Sequence, residues 1–341
     1  MKKVLLLVLI LAASVFSKED TAPIEKYIDK ISVGDPIEYK NLKIFPLNVL
    51  SALSTMDYVT LDQAMDKGWL KIKESGEGEV NTVMVKNNGD APVFLLTGEM
   101  ITGAKQDRML EKDLLLPSNS GWVEVPVYCV EHGRWVSVSS EFKSGGYVVP
   151  NAVRQAAKIN PSQSEVWDKV AENQEQLGVA SGTGTARDTY EDSDVQKRLD
   201  DYEVNLGKVP KLSSTTIGVV VTTGDRIICF DLFANNGLLK KLWKKLVKSY
   251  AMDALTGEKS TLTKSDIREL LEVFEDARFV STGTAGLGDL FTIESTVGKG
   301  SALTYGKAVV HMDFFPSEDL PTDDEGDGLR LDFRRDQRND D

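Results

Sequence analysis

Apolar and polar residues alternate at every second position through much of the first half of the chain. In "VNTVMVK", Val83 and Val85 fall on one face and Val80, Thr82 and Met84 on the other; in "WVEVPVYCV", Val123, Val125, Val127 and Cys129 share one face. Successive side chains of a strand point to opposite sides, so both stretches predict strands. The turn-forming "NNGD" separates the first of them from "APVFLLTGE", an arrangement that predicts a hairpin. "IEYKNLKIFPLNVL" and "WLKIKES" read as further strands flanking a short helix, "TLDQAMDKG", which starts at the capping residue Thr60 and stops near Gly68.

From about residue 151 the apolar period lengthens to that of helices. Ser162 followed by Glu165 makes a capping box ahead of "EVWDKVAENQEQL", whose Val166, Val170 and Leu177 form one stripe and whose stop is Gly178. Ser193 with Gln196 repeats the signature before "VQKRLDDYEVNL". Between these helices, "GVASGTGTARDTYED" has the composition of a mobile surface loop. Then "TTIGVVVTTGDRIICFDLF" predicts a hairpin around Thr223 and Gly224, and "GLLKKLWKKLVKSYAMDAL" an amphipathic helix. "TKSDIRELLEVFEDA" predicts a helix capped by Thr263 and Asp266, with "FTIEST" and "ALTYGKAVVHMDFF" as closing strands. Hairpins prevail over crossover units, which favours an α+β fold: a largely antiparallel β first half, a helical insertion and a second α+β unit. The expected division is a leader over residues 1–17, a mainly β part over 18–150, an α+β part over 151–316 packed with it in one body, and an acidic tail over 317–341.

Composition narrows what such a fold does. With 41% hydrophobic residues over 341 positions the chain can bury a large core, and a net charge of −13 repels a phosphate polyanion, so nucleic acid is not an expected partner. At the N-terminus, "MKK" is basic, "VLLLVLILAASVF" is apolar, and Val15 and Ser17 occupy the positions a signal peptidase reads. Roughly a dozen apolar residues fall short of the ~20 a spanning helix needs. An exported protein, periplasmic or extracellular, with no transmembrane segment after the leader is therefore expected. Cys129 and Cys229 lie in apolar runs, where two free buried thiols are the favoured reading although an oxidising destination permits a bridge. The two cysteines and two histidines show no metal-ligand spacing. From Ser317 onward, ten acids, four arginines and almost no apolar residues predict disorder.

Polar chemistry concentrates where two strands end. "TGEMITGAKQDR", residues 97–108, carries Gly98 and Gly103, at which backbone can bend or approach a ligand, and then presents Glu99, Lys105, Gln106 and Arg108. "VEHGRW", residues 130–135, adds Glu131, His132, Arg134 and Trp135. Arg108, Lys105 and Arg134, with Gln106 beside them, suit an oxyanion; Trp135 offers a stacking face; Glu99, Glu131 and His132 are the groups able to take a proton or activate water. The same residues can instead brace the fold, with Glu99 and Glu131 paired to Arg108 and Arg134. His132 needs the bend at Gly133 to share a pocket with Glu131, and His311, set among apolar neighbours, reads as a core histidine. "STGTAGLGD", residues 281–289, follows a helix and precedes a strand, the wrong order for a phosphate loop, and reads as a hairpin connector. The lysine-rich helix reads as a cover for its own sheet rather than a membrane-surface element. No nucleophile motif of the serine-hydrolase or metalloprotease kind is present.

Taken together, "FLLTGEMITGAKQDR", "VPVYCVEHGRW", "GVVVTTGDRIICFDLF", "LWKKLVKSYAMDAL" and "AVVHMDFF" resemble the ARG-and-rhodanese-phosphatase-superfamily-associated domain family, in which ARG stands for ADP-ribosylglycohydrolase. The resemblance runs from about Lys43 to Phe315. It implies a link to ADP-ribose or related nucleotide metabolism and marks Glu99, Lys105, Gln106, Arg108, Glu131, Arg134, Trp135 and His311; it implies no particular cofactor. Two functions stay open. In one, the two strand ends converge on a cleft that binds, or binds and processes, a small anionic ligand of the ADP-ribose or nucleotide type. In the other, the chain is a non-catalytic cell-envelope interaction or structural protein whose lysine helix or acidic tail meets a protein partner.

Overall fold

The computed structural model describes residues 18–317 apart from residues 52 and 77. The leader expected over residues 1–17 and the tail expected beyond Ser317 lie outside the described residues. Helix α1 (Lys18–Ile28) precedes strands β1 (Ile31–Val33), β2 (Ile37–Tyr39) and β3 (Leu42–Val49). Next come β4 (Val59–Thr60), α2 (Leu61–Asp66), β5 (Leu70–Glu74), β6 (Thr82–Asn87), β7 (Val93–Leu95) and β8 (Glu99–Gly103). Strands β9 (Arg108–Leu110), β10 (Leu114–Leu116), β11 (Val123–Cys129) and β12 (Phe142–Val148) complete the β-rich stretch. Helices α3 (Asn151–Ile159), α4 (Gln163–Leu177), α5 (Ala186–Glu191) and α6 (Ser193–Leu206) follow. The chain then forms β13 (Thr216–Thr223), β14 (Arg226–Phe233), α7 (Asn236–Ala254), α8 (Lys264–Asp276) and strands β15 (Arg278–Ser281), β16 (Asp289–Ser295), β17 (Gly298–Tyr305) and β18 (Ala308–Pro316).

The α+β class is what forms, in three sheets whose pairings are antiparallel except for β4 with β7. A nine-stranded sheet runs β1-β3-β13-β14-β18-β17-β16-β15, with β2 also on β3. One of its faces packs under α1 and α8, through Ile24, Tyr27, Ile267, Leu270 and Phe274; the other packs against α7. A three-stranded sheet orders β10-β7-β4, and a six-stranded sheet orders β12-β8-β9-β11-β6-β5. The six-stranded sheet curls, bringing Lys71 on β5 to 3.1 Å from Glu141 at the start of β12. Ile72, Val83, Val85, Ile101, Leu110, Val125, Val127 and Phe142 fill its concave side as one apolar cluster. The opposite side, through Met100, Met109 and Tyr128, joins the main core around α7. The alternation in the sequence is the cause: Val83 and Val85 are buried while Thr82 and Met84 are partly exposed.

Several local expectations hold. Thr60 and Gln63 cap α2, Ser162 Oγ accepts from Glu165 N–H, Gly178 ends α4 at φ +69, and β13 pairs with β14. The lysine helix α7 buries Trp243 against its own sheet and core, and four of its lysines meet acids: Lys241 with Asp57, Lys244 with Glu203, Lys245 with Asp62 and Glu99, and Lys248 with Asp200. "STGTAGLGD" joins the antiparallel pair β15 and β16, as a hairpin connector should.

Three expectations fail. The hairpin across "NNGD" does not form: β6 pairs with β5 and β11, whereas β7 pairs with β10 and β4. Asn87 explains the crossing, because its amide donates to Ala91 O at 2.8 Å and Pro117 O at 2.9 Å, turning the chain towards the neighbouring sheet. Helix α6 is capped by Asp192 rather than Ser193; Asp192 Oδ1 accepts from the N–H groups of Asp194 and Val195, both at 3.0 Å. The stretch expected as a mobile loop contains α5 and is docked, with Thr185 buried and Ala186 N–H donating to Val130 O at 2.8 Å. A cap change tests the revised helix start. Asp192→Ala should cost about 1 kcal/mol in urea unfolding and Ser193→Ala less than about 0.5 kcal/mol; equal costs would restore the first assignment.

Candidate functional site

Alternation along three strands carries polar residues to one end of the curled sheet's concave side. Leu70, Ile72 and Glu74 share a parity on β5, as do Arg108 and Leu110 on β9, and Val125, Val127 and Cys129 on β11. Arg108 is therefore drawn inside, fully buried, paired in register with Cys129. Its Nη1 donates to Gln106 Oε1 at 3.0 Å, and its Nη2 lies 3.8 Å from Glu74 Oε2. Arg108 Nε and Nη2 and Glu74 Oε2 are buried without a hydrogen-bond partner. Trp135 lies over this end, its ring centroid 5.9 Å from the Arg108 guanidinium carbon and 5.0 Å from Lys105 Nζ, with 47% of the residue exposed. Lys105 is anchored through its N–H to Glu74 Oε1 at 2.9 Å, and its side chain crosses Gly78, where a Cβ would meet Nζ at 2.5 Å. Burial pushes the neighbouring Cys129 thiol up to about 11, which keeps it neutral beside Arg108.

The two polar segments do meet, through a clamp centred on Arg134. Its Nε and Nη2 donate to Glu131 Oε1 at 2.9 Å and Oε2 at 2.6 Å, and its Nη1 to Ala104 O at 2.7 Å and Val136 O at 3.1 Å. Nη2 also reaches Gly103 O and Asp107 Oδ1, both at 3.3 Å. Glu131 Oε2 further accepts from Asp107 N–H at 2.8 Å. Burial alone would raise Glu131, but Arg134 and these donors hold it below the usual carboxylate range. Asp107, fully buried, accepts from Gly103 N–H at 3.0 Å and Thr185 Oγ1 at 2.9 Å, which docks the 178–185 segment onto the clamp. Arg134 and Glu131 thus hold Lys105 on one side and Trp135 on the other; their own polar atoms are engaged.

Two expected members stand elsewhere. Glu99 is fully buried on the far side of β8, where Oε1 accepts from Lys245 Nζ at 2.9 Å and Oε2 from Leu96 N–H at 2.9 Å. Burial raises its affinity for a proton, only partly offset by Lys245. His132 points to solvent from the bend and meets Trp167 edge-on, with ring centroids 4.5 Å apart. Of the alternative, bracing pairs, Glu131 with Arg134 forms, whereas Glu99 pairs with Lys245 and Arg108 faces Glu74. Glu74, Asp107 and Thr185 are the members that sequence reasoning missed. Glu74 was detectable, since it continues the inward parity of Leu70 and Ile72.

A second polar group lies in the main core. His311 is fully buried, its Nδ1 2.6 Å from Asp113 Oδ2 and its Nε2 3.2 Å from Asp231 Oδ1. Arg154 donates from Nη2 and Nη1 to Asp231 Oδ1 and Oδ2 at 2.7 and 2.8 Å, and the Tyr250 hydroxyl to Oδ2 at 2.5 Å. The set has two carboxylates and two basic groups, and it is sealed from water. Burial alone would lower His311, but Asp113 and then Asp231 raise it to about 9. Burial would raise Asp231, yet Arg154 and His311 hold it far below the carboxylate range. Cys129 and Cys229 are free and buried.

Residues 30–315 match the ARG and Rhodanese-Phosphatase-superfamily-associated Protein domain. The chain belongs to that family. The match spans all three sheets, and with them both the mouth and the buried histidine. No curated protein and no solved structure matches the chain. Among the described residues, no group of three or more His, Cys, Asp or Glu side chains could hold a metal ion, and no helix is long and apolar enough to cross a membrane.

The core set makes a pH prediction with a definite sign. His311 is raised from its ordinary 6.5 to about 9, so its contribution is complete below about pH 6.5 and is lost as pH rises through about 9. The wild type should lose stability of the order of 3 kcal/mol across that interval. His311→Gln should be less stable at pH 6.5 and nearly flat over the same range; a parallel profile for both proteins in urea titrations would refute the charged histidine. Asp231→Ala should cost about 3–5 kcal/mol at neutral pH, because it leaves buried Arg154 unpaired.

Proposed function

We propose that this protein binds a small anionic ligand of the nucleotide or ADP-ribose type at the mouth of the curled six-stranded sheet. The observation that carries the reading is Arg108: a buried guanidinium whose Nε and Nη2 make no hydrogen bond, Nη2 lying 3.8 Å from Glu74 Oε2, beneath a half-exposed tryptophan and beside Lys105. In a guanidinium these two nitrogens present one N–H each along the same direction, the fork that receives two acceptors at once. Buried donors are normally satisfied, so an open fork is a place where a ligand gains most. Trp135 suits the base or sugar of such a ligand, and mouths of curled sheets are common binding positions. The family's name, which associates it with ARG proteins, supports the same ligand class.

Binding rather than hydrolysis is the better reading of the carboxylates. Both oxygens of Glu131 and both of Glu99 are already engaged, which leaves neither placed to activate water. Export is part of the proposal, supported by the basic and then apolar opening of the chain. The alternative, an interaction protein without a ligand site, draws on the neighbouring exposed residues Trp135, Val136 and Val138.

Calorimetric titration with ADP-ribose, AMP, GMP and inorganic pyrophosphate tests this. At least one should bind the wild type and raise its melting temperature by mass action. Trp135→Ala and Lys105→Ala, both at the rim, should fold with stability within about 1 kcal/mol of wild type and weaken that binding by about tenfold or more. No binding to any of the four, or binding unaffected by both variants, would overturn the site.

A further inference from the structure

Three atoms at this end of the sheet lack a hydrogen bond and form an ordered pattern, two of them facing each other as a long ion pair. Arg108 Nε and Nη2 are adjacent donors; Glu74 Oε2, 3.8 Å beyond Nη2, is an acceptor. The other atoms of these groups are occupied, Nη1 by Gln106 Oε1 and Glu74 Oε1 by the N–H of Lys105. What remains reads donor, donor, acceptor. A bare phosphate or carboxylate oxygen pair fits the two donors and then brings negative charge against Glu74. A ligand edge with two neighbouring acceptors followed by an N–H fits all three.

The purine bases differ in this respect. Guanine presents N7 and O6 as adjacent acceptors and then its ring N1–H, and arginine held bidentately to O6 and N7 is the commonest specific contact to a base. Adenine has an amino donor where guanine has O6, which sets donor against Nη2 and leaves one arm of the fork unfilled. We infer that the mouth selects a 6-oxopurine nucleotide, guanine or hypoxanthine in type. This rests on the ligand site proposed above and says which part of the ligand meets Arg108. N7 and O6 accept from Arg108 Nε and Nη2, N1–H donates to Glu74 Oε2, Trp135 covers the base and Lys105 takes the phosphate. The approach to these sealed atoms lies past Trp135, which is half exposed, and Lys105, whose side chain crosses Gly78. Cys129, opposite Arg108 in register, closes the inner side with a neutral thiol.

Ligand analogues test the inference without touching the fold. The full chain is titrated by calorimetry with GMP, IMP, AMP, 7-deaza-GMP, N1-methyl-GMP and inorganic pyrophosphate. GMP and IMP should bind at least about tenfold tighter than AMP, and removal of either N7 or N1–H should cost about tenfold or more. Equal affinities for GMP and AMP, or full affinity for both modified analogues, would overturn the base assignment. If pyrophosphate binds in a Lys105- and Trp135-dependent way while the purines are not distinguished, the base assignment alone falls and the anion site stands. If none of the six binds, both fall.

Discussion

Asp231 is the constraint on which the rest of the architecture hangs. Its carboxylate sits in the middle of the nine-stranded sheet, fully buried, and accepts from Arg154 on α3, Tyr250 on α7 and His311 on β18. His311 passes the link to Asp113, whose other oxygen accepts from Thr97 N–H at 2.8 Å. Arg154 in turn lies against Gly98, where φ is +82 and an added Cβ would come 2.9 Å from the arginine side chain. The strand end that leads to Lys105 and Arg108 is thereby fixed to the C-terminal sheet. A buried ion pair of this kind need not add net stability over an apolar replacement, yet removing one partner is costly, so it acts mainly to exclude other packings. Here it sets where β8 and β9 begin, and with them the position of the mouth.

The two arginines of the polar segments differ in how far their hydrogen bonds are completed, which is what separates a structural role from the ligand-facing one proposed. Arg134 spends its donors on Glu131, Asp107 and three backbone carbonyls; those to Gly103, Ala104 and Asp107 tie the 103–107 turn to the 131–136 bend, and those to Glu131 and Val136 brace the bend itself. Arg108 is more deeply buried, has one hydrogen bond and faces a carboxylate too distant for a second. The less exposed of the two is the less satisfied. A scaffold needs completed hydrogen bonds, whereas a ligand site needs incomplete ones held in place. The clamp supplies that holding, since it fixes the backbone on both sides of Trp135 and Lys105.

Local signals in the sequence were sufficient where a side chain acts within one turn or one strand. Thr60, Ser162, Gly178 and Thr263 mark helix ends because capping is a contact between near neighbours. The face shared by Val125, Val127 and Cys129 follows from strand geometry alone. What could not be read locally is partner choice. "NNGD" permits a tight turn, but whether β6 meets β7 or β11 depends on Asn87 reaching Pro117, thirty residues away. Likewise the convergence of residues 97–108 with 130–135 was legible from two polar strand ends, while the division of their charges was not. Glu99 meets Lys245 across 146 residues, a pairing that no spacing encodes. The parity of Glu74 and Asp231 on otherwise apolar strand faces was the accessible clue: a charge on an inward-facing position demands a buried partner.

The proposed anion site, in a chain of net charge −13, would have to work at short range. Long-range attraction cannot gather the ligand, because the average field of the protein repels it. At physiological ionic strength, charges beyond about 8 Å are largely screened, which removes most of that penalty and leaves the immediate surroundings to decide. Those surroundings are favourable at the mouth. Arg108 and Lys105 flank one aromatic ring, Arg108 is withdrawn from water, and an interaction between charges strengthens as the local dielectric falls. Glu74 opposes this for a bare anion but favours a ligand that brings its own donor. Under the proposed reading, discrimination at this position would come from hydrogen-bond complementarity inside the sheet rather than from the net charge of the chain.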